Sequence, residues 1–133
     1  MDDLKEIESR QDVDLLVRSF YTKVRKDELI GPVFNSIIAE EEWENHFEKL
    51  TDFWETNLFA AISYKGNPML KHAMVDAKQN GTIGQEHFGR WLMLWIETID
   101  QFFRGERAEK AKYAARKMST GLFVGIYKAR QKP

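Results

Sequence analysis

Tyr64-Lys65-Gly66-Asn67-Pro68-Met69-Leu70-Lys71-His72 reads as a loop, a helix start and one histidine set a little over a turn into that helix. Asn67 is a good N-cap, and Pro68 suits the first helical position because its missing N–H would have no partner there. Gly66 lets the loop before it turn sharply. A histidine mounted this way, beside Met69 and Val75, could ligate a metal or a haem iron. A packed core histidine fits the same pattern, and spacing alone does not choose between them.

Working outward, the apolar pattern is helical throughout. Val13, Leu15, Leu16, Phe20, Tyr21 and Val24 predict a helix over 11–26, with Asp12 as a plausible cap. The segment 27–34 then turns, and Gly31-Pro32 should break the backbone. A long helix is predicted over 40–61, where Trp43, His46, Phe47, Leu50, Phe53, Trp54, Asn57, Leu58 and Ala61 recur at three and four. His46, Leu50, Phe53 and Asn57 share one face of it. A short helix over about 68–75 carries His72, and 76–83 is a polar loop. Helices over 84–103 and 106–129 follow, with Gly105 as the stop between them. Strand signals are absent, since Asn80-Gly81 lies between helical patterns rather than alternating ones. The expected architecture is all-α, with four long helices and two short ones.

Composition narrows the chemistry. The 133 residues suit one domain, and 43% hydrophobic content argues for a packed core over disorder. Twenty Lys and Arg against 21 Asp and Glu leave a net charge of −1, which offers no electrostatic basis for binding nucleic acid or an anionic membrane. The lack of cysteine excludes disulfides, thiol catalysis, thiolate-bound zinc, iron–sulfur clusters and thioether-attached haem. The acidic, polar start is unlike a secretory signal, and no apolar run approaches the ~20 residues of a membrane span. A cytoplasmic protein is the default expectation. Aromatics at 13% fill a core or wall a pocket for a flat ligand.

Three histidines remain as candidate ligands: His46, His72 and His87. No two lie at i, i+4, so the helical zinc motif is missing, as are the P-loop, the dinucleotide glycine motif and the nucleophile elbow. Glu40-Glu41-Glu42 reads as a helix start stabilised by negative charge. His87, near a helix start, reads as a solvated surface residue. His46 faces the same side as Leu50 and Phe53 and reads as a partly buried core histidine or as a pocket group.

Five segments in register resemble a known family, the third group of truncated haemoglobins, the bacterial two-over-two globins. They are Phe20-Tyr21-Thr22-Lys23-Val24-Arg25, Leu29-Ile30-Gly31-Pro32-Val33-Phe34-Asn35, Glu42-Trp43-Glu44-Asn45-His46 continuing to Phe53-Trp54, the stretch Tyr64 to His72, and Trp91-Leu92-Met93-Leu94-Trp95. The resemblance covers nearly the whole chain. It implies a globin-like, two-over-two helical sandwich around a haem b, as a single domain over 1–133. It makes His72 the proximal ligand to iron. It places Tyr21, His46 and Trp91 on the distal side, Phe34 on the haem face, and Leu50 and Met69 in the pocket. Tyr64, Lys65 and Lys71 become candidates to meet the haem propionates, although a solvated loop explains them as well.

The chemistry that this resemblance implies is reversible binding of O2 and related diatomics such as NO and CO. A neutral imidazole below ferrous iron leaves the position above it open. Phenol and indole donors to the bound ligand, at ~1.5–3 kcal/mol each, would slow its release by two orders of magnitude or more. Such retention argues against simple transport. It leaves open an enzyme on the same scaffold, a peroxidase-like activity or a nitric oxide dioxygenase, served by an unidentified separate reductase. A cofactor-free helical interaction module is the remaining reading. Oligomeric state is open.

Overall fold

The computed structural model describes residues 4–59 and 84–130, with side chains described through residue 121 in the last helix. The predicted short helix, and with it Tyr64, Lys65, Met69, Lys71 and His72, lies outside the described residues.

The first helix, α1 (Arg10–Lys26), begins at Ser9, whose Oγ accepts the Asp12 N–H at 3.3 Å. Ser9, not Asp12, is therefore the N-cap. Asp12 sits three residues in and reaches back to accept the Glu8 N–H at 2.9 Å, so together they satisfy donors that an α-helix leaves open. Lys23, Arg25 and Lys26 in the last turn complement the helix dipole. The buried stripe is Val13, Leu16, Val17, Phe20, Tyr21 and Val24, whereas Leu15 is 44% exposed.

Gly31 and Pro32 do not simply break the chain. They open a seven-residue helix, α2 (Gly31–Ile37), with the proline in its first turn. Proline suits a first helical turn because its φ is fixed near the helical value and its missing N–H would have no partner there. The second predicted long helix also divides, into a 3-10 turn at Glu40–Glu42 and then α3 (Trp43–Phe59). The three glutamates take that turn fully outside the core.

Two further helices, α4 (Gln85–Phe102) and α5 (Glu106–Arg130), match the predicted spans closely. Gly105 separates them with φ +108, a conformation that costs other residues a steric clash. Among the described residues, the only extended pairing is a single parallel bridge of Lys5 with Phe103. No described helix is long and apolar enough to cross a membrane.

α1 packs on α3 and α4, α4 packs on α5, and α3 also touches α5, so two helix pairs lie against each other. Their shared centre is Trp95 of α4, fully buried. It stacks on Trp54 of α3 at 4.5 Å and meets Phe20 of α1 edge-on at 5.0 Å. On its other side α5 presents Ala108, Ala111 and Ala115. These small residues admit the indole closely enough for its N–H to donate to the Ala111 carbonyl at 3.2 Å. The aromatic excess noted in the sequence is thus largely core, and it leads from this centre towards a second aromatic cluster around Tyr21.

Candidate functional site

Tyr21 lies on the buried stripe of α1 one residue after Phe20, so its ring points beside the Trp95 core rather than into it. It is 6% exposed. Phe20 contacts it edge-on at 4.7 Å, Phe34 from α2 at 5.7 Å, and His46 from α3 at 5.4 Å. Trp43 and Phe47, also from α3, close the ring at 5.8 and 6.2 Å. Trp43, His46 and Phe47 fall at i, i+3 and i+4, one face of a helix. Edge-to-face aromatic pairs of this kind contribute ~0.5–1.5 kcal/mol each beyond the area they bury.

Within the cluster the Tyr21 hydroxyl has a polar neighbour in Trp91. Burial pushes its pKa well above the ordinary tyrosine value, and a hydrogen bond with Trp91 only partly offsets this. Tyr21 therefore stays a neutral phenol. Indole N–H can only donate, so in the Trp91–Tyr21 bond the phenol oxygen must accept. The phenol's own proton is not used in that bond. Trp91 is half-buried on α4, edge-on to Phe20 at 5.6 Å and parallel to Trp95 at 6.3 Å. The His46 Nε2 atom is buried, and its ring meets Trp43 edge-on at 5.4 Å.

α3 holds two more buried polar atoms, Trp43 Nε1 and Asn57 Oδ1, that hydrogen-bond to no described residue. Leaving a polar group so costs ~1–3 kcal/mol. Asn57 lies on the stripe of His46, Leu50 and Phe53, and Leu50 and Phe53 are half-buried against the core. Aromatic rings from α1, α2 and α3 thus surround the Tyr21 phenol, and buried polar atoms lie along the same helix α3. Among the described residues no group of three His, Cys, Asp or Glu side chains could hold a metal ion.

Of the residues singled out in the sequence, Tyr21, His46, Phe34 and Trp91 come together, although 70 positions separate the first from the last. His87 does not join them and is not a freely solvated residue. Its side chain is 16% exposed, and its Nδ1 accepts the Gly84 N–H at 2.9 Å, capping α4. Trp43, Phe47 and Phe20 carried no role in the sequence reading, yet they wall the cluster. The available signal was the spacing of Trp43 to His46 and to Phe47, three and four residues, on one face of α3. Arg25 is another, its guanidinium lying over Trp43 at 4.5 Å while it pairs with Glu40 at 2.6 Å. That contact fixes the outer wall of the cluster.

Crossed helix pairs with a phenol, an imidazole and an indole gathered between α1, α3 and α4 define a globin of the truncated class. Comparison with known proteins agrees: the bacterial-like globin family model matches residues 5–120. The chain is 30% identical over 122 residues to the group 3 truncated hemoglobin ctb of Campylobacter jejuni, covering 90% of this chain and 92% of that protein. The crystal structure of the group III truncated hemoglobin from Campylobacter jejuni superposes with a TM-score of 0.82 at 30% identity, over 94% of this chain and 96% of that one. The chain belongs to the bacterial-like globins and, within them, to the group III truncated haemoglobins.

Proposed function

We propose that this globin holds a haem b through His72 and binds O2 and related diatomics, NO and CO among them, on the side of the haem that Tyr21 faces. The observation that carries the reading is the hydroxyl of Tyr21: buried, neutral, accepting from Trp91, and so free to donate its one proton. Ferrous haem with one imidazole ligand supplies an open iron position for such molecules. The residues of the chain do the rest. Phe34, Phe47, Leu50 and Trp43 exclude water, which strengthens any hydrogen bond made inside. Tyr21 donates to the negative end of the ligand. Trp91 acts from behind, polarising and orienting the phenol, whereas the sequence suggested two parallel donors. His46, edge-on to both Tyr21 and Trp43, would admit or exclude the ligand, the role that the family resemblance gives it. Met69, Tyr64, Lys65 and Lys71 keep the pocket and propionate roles that the family resemblance gives them.

The test is to add haem to the purified full chain and record its optical spectrum. A Soret band that develops at one haem per chain, and a changed iron coordination in His72→Gly, is the expected result. If no Soret band develops, the cofactor-free helical module becomes the better reading. If His72→Gly binds haem with unaltered coordination, another residue is the ligand.

The same donor pair favours a second reading, chemistry on the bound ligand. A phenol backed by an indole would polarise an O–O bond, as a peroxidase-like reaction or a nitric oxide dioxygenase requires. A separate reductase would then supply electrons. Turnover should collapse in Tyr21→Phe, and unchanged turnover there would remove this reading.

A further inference from the structure

Asp27 is a buried carboxylate outside the pocket, and three elements meet at it. Its backbone N–H donates to the Val24 carbonyl at 3.1 Å and closes α1, and its own carbonyl accepts the Gly31 N–H at 3.0 Å as α2 begins. One carboxylate oxygen, Oδ2, accepts the Leu29 and Ile30 N–H groups at 3.0 and 3.1 Å. The other, Oδ1, accepts Nε of Arg90 on α4 at 2.5 Å. The Asp27 side chain is 3% exposed and that of Arg90 is 44% exposed. Gly31 brings the start of α2 close against the end of α1, since a Cβ there would lie 2.8 Å from the Arg25 carbonyl oxygen.

Each of those three elements carries one side chain of the candidate pocket. Tyr21 lies six residues before Asp27 on α1, Phe34 lies on α2, and Trp91 directly follows Arg90 on α4. α1 and α4 are therefore tied twice: once inside the pocket by Trp91 and Tyr21, and once outside it by Arg90 and Asp27. A helix pinned at one point can slide and rotate, whereas a second tie removes that freedom. We infer that Asp27 and Arg90 are positioning residues, which fix the register of α4 against α1 so that the Trp91 N–H meets the Tyr21 oxygen. Asp27 also fixes α2, and with it the distance of Phe34 from the same phenol. Neither residue touches a ligand. Its consequence for ligand release rests on the reading of the pocket proposed above, but the alignment of Trp91 with Tyr21 does not.

The experiment uses the full chain, haem-loaded as the CO-bound ferrous form, with 15N-labelled indoles. The Trp91 Nε1–H resonance is assigned by its loss in Trp91→Phe, and the C–O stretch and the O2 dissociation rate are measured in parallel. In Arg90→Gln and Asp27→Asn the Trp91 resonance should shift, the C–O stretch should broaden or move, and O2 release should change at least threefold. Arg90→Lys, which keeps the charge, should return part of each. Arg90 is the more exposed partner, so its variants report even where Asp27→Asn fails to fold. If both Arg90 variants melt at lower temperature while the Trp91 resonance and the C–O stretch stay at wild-type values, the pair is merely structural and the inference is wrong. If wild-type protein binds no haem, the proposed function fails instead. The Trp91 resonance of the full chain without haem then decides the inference by the same shift or its absence.

Discussion

Tyr21→Phe removes one oxygen atom and keeps the ring that packs against Phe20, Phe34 and His46 at 4.7, 5.7 and 5.4 Å. Little cavity forms, so the change isolates the hydroxyl. Two losses follow from the geometry. The Trp91 N–H loses its acceptor. A fully buried orphan donor would cost ~1–3 kcal/mol, but Trp91 is half-buried and can recover a water, so the low end, about 1 kcal/mol, applies. For a chain of this length that corresponds to a fall in Tm of roughly 3–5 °C. The second loss falls on the ligand. A phenol donor to a charge-bearing atom in a dry pocket contributes ~1.5–3 kcal/mol, and ~1.4 kcal/mol is tenfold. O2 should leave the haem-loaded variant about ten- to a hundredfold faster.

Stopped-flow displacement of O2 by CO reads the rate, and far-UV circular dichroism reads the Tm. Trp91→Phe should accelerate release by less than Tyr21→Phe, because Trp91 acts through Tyr21. In the double variant the two effects should not add, with a coupling of ~0.5–3 kcal/mol as expected for residues in contact. An O2 dissociation rate in Tyr21→Phe within threefold of wild type would refute the assignment of the phenol as donor. Additive effects would refute the relay through it.

Alkaline pH offers an independent check on Tyr21. Its pKa in the fold lies above the ordinary value of ~10, so the stability it contributes is complete below about pH 10 and is lost as pH rises through the folded value. The difference spectrum of wild type minus Tyr21→Phe should show no tyrosinate absorbance at about pH 11 while the chain remains folded, and a tyrosinate band there would mean that the hydroxyl is solvated. Gly105→Ala should destabilise the protein by ~1–3 kcal/mol, as denaturant unfolding would show, because φ is +108 and the new Cβ would fall 2.5 Å from the Glu6 carboxylate. That carboxylate also accepts the Ile7 and Arg107 N–H groups at 3.0 Å, so it has little freedom to yield. An alanine variant as stable as wild type would show that the turn relaxes.

The parts of the fold visible in the sequence were those governed by local periodicity. α1, α4 and α5 each carry an apolar stripe at three and four, and Gly105 marks the junction that only glycine fits easily. Sequence reasoning failed at helix boundaries. Pro32 reads as a breaker, but its place is in the first turn of α2, whereas Asp27 closes α1, and reading only the break hid α2. Ser9 and Asp12 share the capping of α1, and the more acidic residue drew the assignment. Glu40–Glu42 fits an α-helical first turn as well as a 3-10 turn, so the pattern does not separate it from α3, which begins at Trp43.

The site shows the same division at longer range. Periodicity alone places Tyr21 and Trp91 each on the apolar stripe of its own helix and does not bring them together, because they meet only where α1 and α4 pack. The family resemblance put both on the distal side, as separate donors to a ligand and not as partners of each other. Asp27 and Arg90 had neither signal: one sits in a turn and the other on an exposed helix face, 63 positions apart. A carboxylate that satisfies two backbone donors and one guanidinium is recognisable only once three chain segments converge on it. This also separates the two kinds of residue functionally. Those that give the pocket its chemistry carry distinctive side chains and can be transferred from a relative by matching. Those that set its geometry are ordinary Asp and Arg residues whose role exists only in the folded arrangement. Variation in donor strength among truncated globins with the same Tyr, His and Trp should therefore be sought in such ties between helices before it is sought in the pocket.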